Sequence, residues 1–219
     1  MRRFYLSQLS SPRWQLEGDE ARHLSKVLRA KVGDRFMAFD GMGHEAAGEI
    51  TGIQRHHILF NALNTPQAID RRPKRDIRVA LVFPKARSRG IIMEKLVELG
   101  TRHIQPLLSQ RGVDAPDTQR LLTQAITACK QCGINNLPTI SAALTLKDFI
   151  TSKPINPVLL QPTGNTATPE ADPITLVIGP EGGFSPEELT LIPYDYWSLG
   201  KQVLRSETAC LAAVARLGI

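Results

Sequence analysis

Two clusters near the C-terminal end hold residue types that could do chemistry. The first is Gly179-Pro180-Glu181-Gly182-Gly183, a glycine-rich loop whose backbone N–H groups and missing side chains leave room for a ligand. It carries a carboxylate, Glu181, and no lysine. That charge repels phosphate, which disfavours Walker-type and pyrophosphate sites and favours a neutral or cationic ligand. The second cluster is Lys201-Gln202-Val203-Leu204-Arg205 followed by Ser206-Glu207-Thr208-Ala209. Arg205 stands just before a helix start, where the helix dipole disfavours a cation unless something compensates. Two readings stay open for it. One is a salt bridge to Glu207 or Glu181; the other is a guanidinium held ready for negative charge developing on a reacting partner.

Both clusters sit in strand–loop–helix units. Leu176-Val177-Ile178 reads as a short apolar strand, and after the glycines Ser185 can cap a helix with Pro186 in its first turn and Glu188 closing a capping box. Trp197-Ser198-Leu199-Gly200 reads as a second strand ending in glycine, with Ser206 as the expected cap of the last helix. If the two strands are neighbours in a parallel sheet, their loops converge.

Upstream, residues 1–72 read as mostly β with one short helix over Glu20–Arg29, where Leu24, Val27 and Leu28 fall at helical spacing. Turn signals at Val32-Gly33-Asp34-Arg35 and Asp40-Gly41-Met42-Gly43-His44 separate strand-like runs, including Glu49–Ile53 and His57–Phe60. A small β-barrel is the natural closure. The polar, basic, proline-punctuated stretch from Asn64 to Arg75 reads as a linker. From residue 76 to 219 the pattern alternates: strand Ile77–Phe83, helix Arg89–Leu99 stopped by Gly100, strand Ile104–Leu108, and a long helix over Thr118–Cys132. A short helix after Thr145, strand Val158–Leu160 and a loop over Gln161–Pro173 then lead to the two motif units. The expected fold class is α/β, with a mainly parallel sheet in this second domain.

The net charge of +6 is unevenly spread. Residues 1–75 carry 13 Lys/Arg against 8 Asp/Glu and residues 78–111 carry 7 against 2, whereas residues 112–219 carry 7 against 10. A basic first half suits a nucleic-acid partner, although a solvated basic face would look the same. No apolar run reaches the roughly 18 residues that would suggest a bilayer span, and the first residues are basic without the apolar stretch expected of a secretory signal. With three cysteines, the expectation is a cytoplasmic protein. Cys129 and Cys132 spell C-x-x-C but close a long helix, so two small hydrophobes on one face are expected rather than a metal or redox pair. His44 and His56-His57 have no acidic partner at ligand spacing.

The chain resembles the RsmE-type ribosomal RNA methyltransferases of the SPOUT superfamily. The resemblance rests on Met1-Arg2-Arg3-Phe4-Tyr5, His23-Leu24 with Val27-Leu28-Arg29, Asp40-Gly41, Lys85, Lys95 with Glu98-Leu99-Gly100, Ser109 with Arg111, and Ala128 with Gln131. Above all it rests on the unbroken signatures Ile178–Phe184 and Leu204-Arg205 with Glu207-Thr208-Ala209. One stretch departs: where the family has an arginine shortly after the glutamine of its central helix, Gly133-Ile134-Asn135-Asn136 follows.

The resemblance implies a PUA-like RNA-binding β-barrel over 1–72 and a SPOUT methyltransferase domain over 76–219 with a deep trefoil knot. It implies S-adenosyl-L-methionine as cofactor, no metal, no membrane, a homodimer, and methylation of N3 of uridine 1498 in 16S ribosomal RNA of the 30S subunit. Rival readings are a SPOUT enzyme acting at another RNA site, or a silent ribosome-assembly factor. Expected cofactor contacts are Leu160, Gln161, Pro162, Ile178, Gly179, Pro180, Glu181, Gly182, Gly183, Leu199, Gly200, Val203, Leu204, Thr208 and Ala209. Expected RNA contacts are Arg2, Arg3, His23, Arg29, Lys31, Lys85, Arg87 and Arg111. Arg205 and Glu207 are the expected catalytic residues, with Glu181 and Glu207 both open as the base. The small residues Ala209, Ala212, Ala213 and Ala215 suit either core packing or a subunit contact.

Overall fold

The computed structural model describes residues 2–9, 12–17, 21, 30–54 and 57–218, with the side chains of residues 86 and 87 left aside. Apart from Ala21, the expected helix over Glu20–Arg29, with His23 and Arg29, lies outside the described residues, as does the side chain of Arg87. The chain forms two compact units, Met1–Arg71 with Cys129–Leu137, and Arg72–Ala128 with Pro138–Ile219.

In the first unit, β1 (Arg3–Tyr5), β2 (Arg13–Glu17), β3 (Arg35–Phe39), β4 (His44–Ile53) and β5 (His57–Ala62) pair in the order β1-β3-β4-β5-β2, and β6 (Gln67–Ala68) adds to β4. The period of two is plain in β2, where Trp14 and Leu16 point inward between exposed neighbours. Phe4 on β1 and Phe60 on β5 are three strands apart, about 14 Å in a flat sheet. Their ring centroids are 6.5 Å apart. Trp14 on β2 and Phe36 on β3, also three strands apart, approach to 6.4 Å. The sheet therefore curls around one aromatic core, as a barrel does.

The hairpin between β3 and β4 is closed by Asp40, whose Oδ1 accepts from the N–H groups of Met42 and His44. Its Oδ2 lies 2.8 Å from His44 Nδ1. The turn thus supplies an acidic partner for His44 that its sequence spacing had not suggested. The expected linker is partly built into this unit, since β6 pairs with β4 and Arg71 binds Glu45 on β4.

The departing segment Gly133–Asn136 also belongs here. Asn135 is fully buried; its Nδ2 donates to Ile69 O at 3.0 Å and its Oδ1 accepts from Arg3. Gly43 N donates to Asn135 O and Leu137 N donates to Gly41 O. The stretch that departs from the pattern of the resembled family is held within the first unit by satisfied backbone and amide groups.

The second unit contains β7 (Ile77–Leu81), α1 (Ala86–Glu98), β8 (His103–Leu108), α2 (Thr118–Cys132, whose last turn counts with the first unit), β9 (Thr139–Ile140) and β10 (Leu144–Thr145). It continues with α3 (Leu146–Thr151), β11 (Pro157–Asn165), β12 (Ile174–Ile178), α4 (Pro186–Leu191), β13 (Asp195–Trp197) and α5 (Ser206–Gly218). The strand order is β10-β8-β7-β12-β11-β13, with β9 beside β8 and every ladder parallel. Every residue of β12 is buried, as a central strand covered on both faces requires. Gly100 ends α1 at φ +75°, and an added Cβ would stand 2.3 Å from Pro73 Cδ.

One boundary differs from the sequence reading. The strand expected over Val158–Leu160 continues to Asn165, through a stretch read as loop. Both Leu160 and Asn165 pair with Trp197. Gly164 lets the backbones meet, because a Cβ there would lie 2.5–2.6 Å from Tyr196 and Trp197 main-chain atoms. A close approach of this kind leaves no trace in hydrophobic periodicity.

Candidate active site

The carboxyl ends of β12 and β13, with the middle of β11, open into a cavity of about 310 Å³. The two motif strands are not neighbours: β11 lies between β12 and β13. Convergence therefore takes three segments rather than two, with Leu160–Pro162 of β11 between the two loops. The cavity is lined by Leu160, Gln161 and Pro162, by Ile178 to Phe184, and by residues of the stretch from Trp197 to Leu204, with Ser206 and Ala209 closing it.

Local chemistry explains each wall. The glycine-rich loop turns through a Gly183 N to Pro180 O bond of 2.8 Å, with Gly183 at φ +67°. It then enters α4 through the expected capping box. Ser185 Oγ accepts from Glu188 N, and Glu188 Oε2 accepts from Ser185 N at 2.8 Å. Gly179 packs on the Phe184 ring, which an added Cβ would meet at 3.1 Å. On the opposite wall the buried Ser198 hydroxyl lies 3.1 Å from Pro162 O and 3.0 Å from Gly200 O, and it accepts from Gly200 N. Ser198 thus joins the loop after β13 to β11.

The structure gathers every expected cofactor contact around this cavity except Thr208, which is exposed and outside the lining. Ser206 and Ala209 are three positions apart and share a helix face, whereas Thr208 is about 200° around from Ser206. Sequence reading missed Phe184, Trp197, Ser198, Gln202 and Ser206. Their only signal was adjacency to the glycines. The expected cap of α5 shifts by one residue, since the first helical bond runs from Ala209 N to Arg205 O. Arg205 therefore occupies the cap position and Ser206 opens the helix.

Arg205 is exposed and forms no ion pair among the described residues, so neither Glu207 nor Glu181 neutralises it. Arg205 and Glu207 flank the lining residues Leu204 and Ser206 without entering the wall themselves. Glu207 Oε2 stands 3.5 Å from Ser206 Oγ. Glu181 is exposed in the lining. Cys210, one residue beyond Ala209, is fully buried, and burial pushes its thiol up to about 12, which keeps it protonated and inert.

The basic candidates divide. Arg2, Lys31, Lys85 and Arg111 are exposed. Lys85 and Arg111 follow β7 and β8 and so share the carboxyl end of the sheet with the cavity. Arg111 Nη1 donates to Gly182 O at 3.0 Å. Arg3 is a correction. Its side chain is 12% exposed and tied to Glu45 at 3.0 Å and to Asn135, so it holds the first unit together instead of facing phosphate. The alanines of α5 do not share one role: Ala213 is core, Ala209 lines the cavity and Ala212 is exposed. The C-x-x-C thiols also part, Cys129 being buried and Cys132 exposed.

The family models match in two places: an RNA methyltransferase domain over residues 71–218, and an RNA methyltransferase PUA domain over residues 16–63. Ribosomal RNA small subunit methyltransferase E of Synechocystis sp. is 28% identical over 89% of this chain and 69% of that protein. The Rickettsia conorii protein of the same name is 28% identical over 93% of this chain and 88% of its own length. Among solved structures, a Legionella pneumophila protein in complex with the cofactor SAM superposes with a TM-score of 0.90 at 28% identity, covering 98% and 96% of the two chains. The Neisseria gonorrhoeae ribosomal RNA small subunit methyltransferase E, bound to S-adenosyl methionine, gives 0.89 at 26% identity over 99% and 96%. With a curled N-terminal sheet, and a parallel α/β unit whose cavity is walled by β11 and two loops, the chain belongs to the RNA methyltransferase family and is similar along nearly its whole length to the small subunit methyltransferase E proteins.

Proposed function

We propose that this protein is an S-adenosyl-L-methionine-dependent methyltransferase acting on N3 of uridine 1498 in 16S ribosomal RNA of the 30S subunit. The observation that carries the reading is the cavity itself, which gathers the glycine-rich loop, the middle of β11 and the loop leading to Arg205 around one space. Its residues fit the cofactor. Gly179, Gly182, Gly183 and Gly200 leave main chain open to a ligand, Ile178, Leu199 and Leu204 offer apolar surface, and Glu181 places negative charge where a sulfonium cation would be welcome.

Bound there, the cofactor would supply an electrophilic methyl group. The protein's own part is electrostatic. Uridine N3 is a weak nucleophile until its proton leaves, and the negative charge then spreads onto the neighbouring carbonyl oxygens. Arg205, fixed at the start of α5 and unpaired by any described carboxylate, stabilises that charge as it develops. Glu207 and Glu181 flank the same opening and are the candidates to accept the proton. The transfer is direct, without a covalent enzyme intermediate.

In this reading residues 1–72 form the RNA-binding domain and residues 76–219 the catalytic domain, threaded as a deep trefoil knot and paired as a cytoplasmic homodimer. The basic excess of the first half supports the assignment of RNA contacts to Arg2, Lys31, Lys85 and Arg111. Transfer of labelled methyl from the cofactor to undermethylated 30S subunits, followed by mapping of the modified nucleotide, tests it. Label at another nucleotide would shift the target. No label with tight 30S binding would favour an assembly factor.

A further inference from the structure

One buried carboxylate holds two loops that belong to different strands. Glu188, 5% exposed, accepts from Ser185 N through Oε2 and from Gln110 N through Oε1, both at 2.8 Å. Ser185 ends the glycine-rich loop after β12, and Gln110 lies in the loop after β8. Those strands are not neighbours, because β7 separates them. The next residue, Arg111, makes a second tie by donating to Gly182 O. Residues 110 and 111 thus tie down the C-terminal side of the glycine-rich loop, at Gly182 directly and at Ser185 through Glu188. Arg89 extends the tie, donating from Nε to Pro84 O and from Nη2 to Asp114 O, both at 2.8 Å. A capping box needs only the Ser185 half of this arrangement. The Gln110 half is additional and reaches across to a different strand's loop.

We propose that Glu188 is a positioning residue that couples the cavity to the exposed basic loop bearing Arg111, so that a filled cavity strengthens RNA binding. The inference rests on the methyl-transfer reading above. A ligand that orders the Gly179–Gly183 loop orders residues 109–112 through Glu188 and Gly182, and Arg111 is then presented to phosphate in one arrangement. By thermodynamic reciprocity, RNA tightens cofactor binding by the same factor.

The uncoupling variant is Glu188→Gln. Its amide oxygen can still accept from Ser185 N, as glutamine does in capping boxes, but its NH2 then faces the Gln110 N–H, donor against donor. The experiment titrates 30S subunits against the full-length protein with and without saturating S-adenosylhomocysteine, alongside analogue affinity without RNA and a thermal melt. Wild-type protein is expected to bind 30S subunits about tenfold more tightly with the analogue, within the usual range of coupling between sites. Glu188→Gln is expected to lose most of that gain while analogue affinity alone changes less than about twofold. If the variant melts too early to assay, Gln110→Pro deletes the same N–H donor and must show the same loss. A coupling factor unchanged in the variant overturns the proposal. So does wild-type protein that binds the analogue but holds 30S subunits equally well without it, a result that leaves methyl transfer standing. Wild-type protein that binds no analogue overturns both readings.

Discussion

Arg71 grips Glu45 with two hydrogen bonds, Nη2 to Oε1 at 2.6 Å and Nη1 to Oε2 at 2.9 Å, while Arg3 Nη1 donates to the same Oε2 at 3.0 Å. Two guanidinium groups on one nearly buried carboxylate make it a strong acid. The bond from Arg71 contributes most, Arg3 and Asn135 add to it, and burial opposes them; together they pull Glu45 down to about 2.

That shift predicts an acid limb in the stability curve. Because the folded-state value lies below the unfolded value of 4.5, the stabilisation is complete above about pH 4.5 and is lost as pH falls towards 2. Its size is roughly 2–3 kcal/mol, allowing for screening at the partly exposed Arg71. Chemical denaturation between pH 2 and 6 measures it. Glu45→Gln should be less stable at pH 6 and should flatten this part of the curve; an acid limb of unchanged steepness would assign the effect to other carboxylates.

The basic residues of the first unit separate in a paired measurement. Arg2→Glu or Lys31→Glu should weaken RNA binding and flatten its log–log salt dependence by about 0.7–0.9 per lost phosphate contact, with little change in melting. Arg3→Ala should do the reverse. It leaves Asn135 and Glu45 short of a donor inside the fold, at about 1–3 kcal/mol, and leaves the salt slope alone. A salt slope that responds to Arg3 would return that residue to the interface.

Glycines of the cavity should be intolerant for distinguishable reasons. Gly179→Leu fills space against Phe184, and Gly200→Leu forces a bulky side chain onto φ +146°; calorimetry should find cofactor binding abolished in each. Gly164→Ala acts on the fold instead, driving a Cβ into the main chain of β13, with a loss of at least about 1–3 kcal/mol in thermal unfolding. Normal affinity in both cavity variants would remove these loops from the site.

Arg205→Ala should slow single-turnover methyl transfer by about 10²–10³, equivalent to about 2.7–4 kcal/mol, with cofactor affinity nearly intact. Lysine should rescue only part of the rate, since a point charge cannot reproduce the planar fork. The absence of an ion pair to Glu207 or Glu181 predicts no accompanying drop in melting temperature. A normal rate would end the catalytic assignment.

Much of the architecture was legible in the sequence because it is set by neighbours along the chain. The capping box of Ser185 and Glu188, the stop at Gly100 and the span of α2 over Thr118–Cys132 all follow from residues within a turn or two of one another. The glycines and apolar ends of two strands likewise marked most of the cavity wall. Tertiary structure alone decided what those elements meet. Strand order placed β11 between the two motif strands and drew Ser198 onto Pro162. It turned Arg3 inward to Asn135, 132 positions away, and brought Gln110 to Glu188 across β7. A hydrogen bond between distant residues depends on which backbones become adjacent. Helical and strand periodicity report only which face of each element is buried.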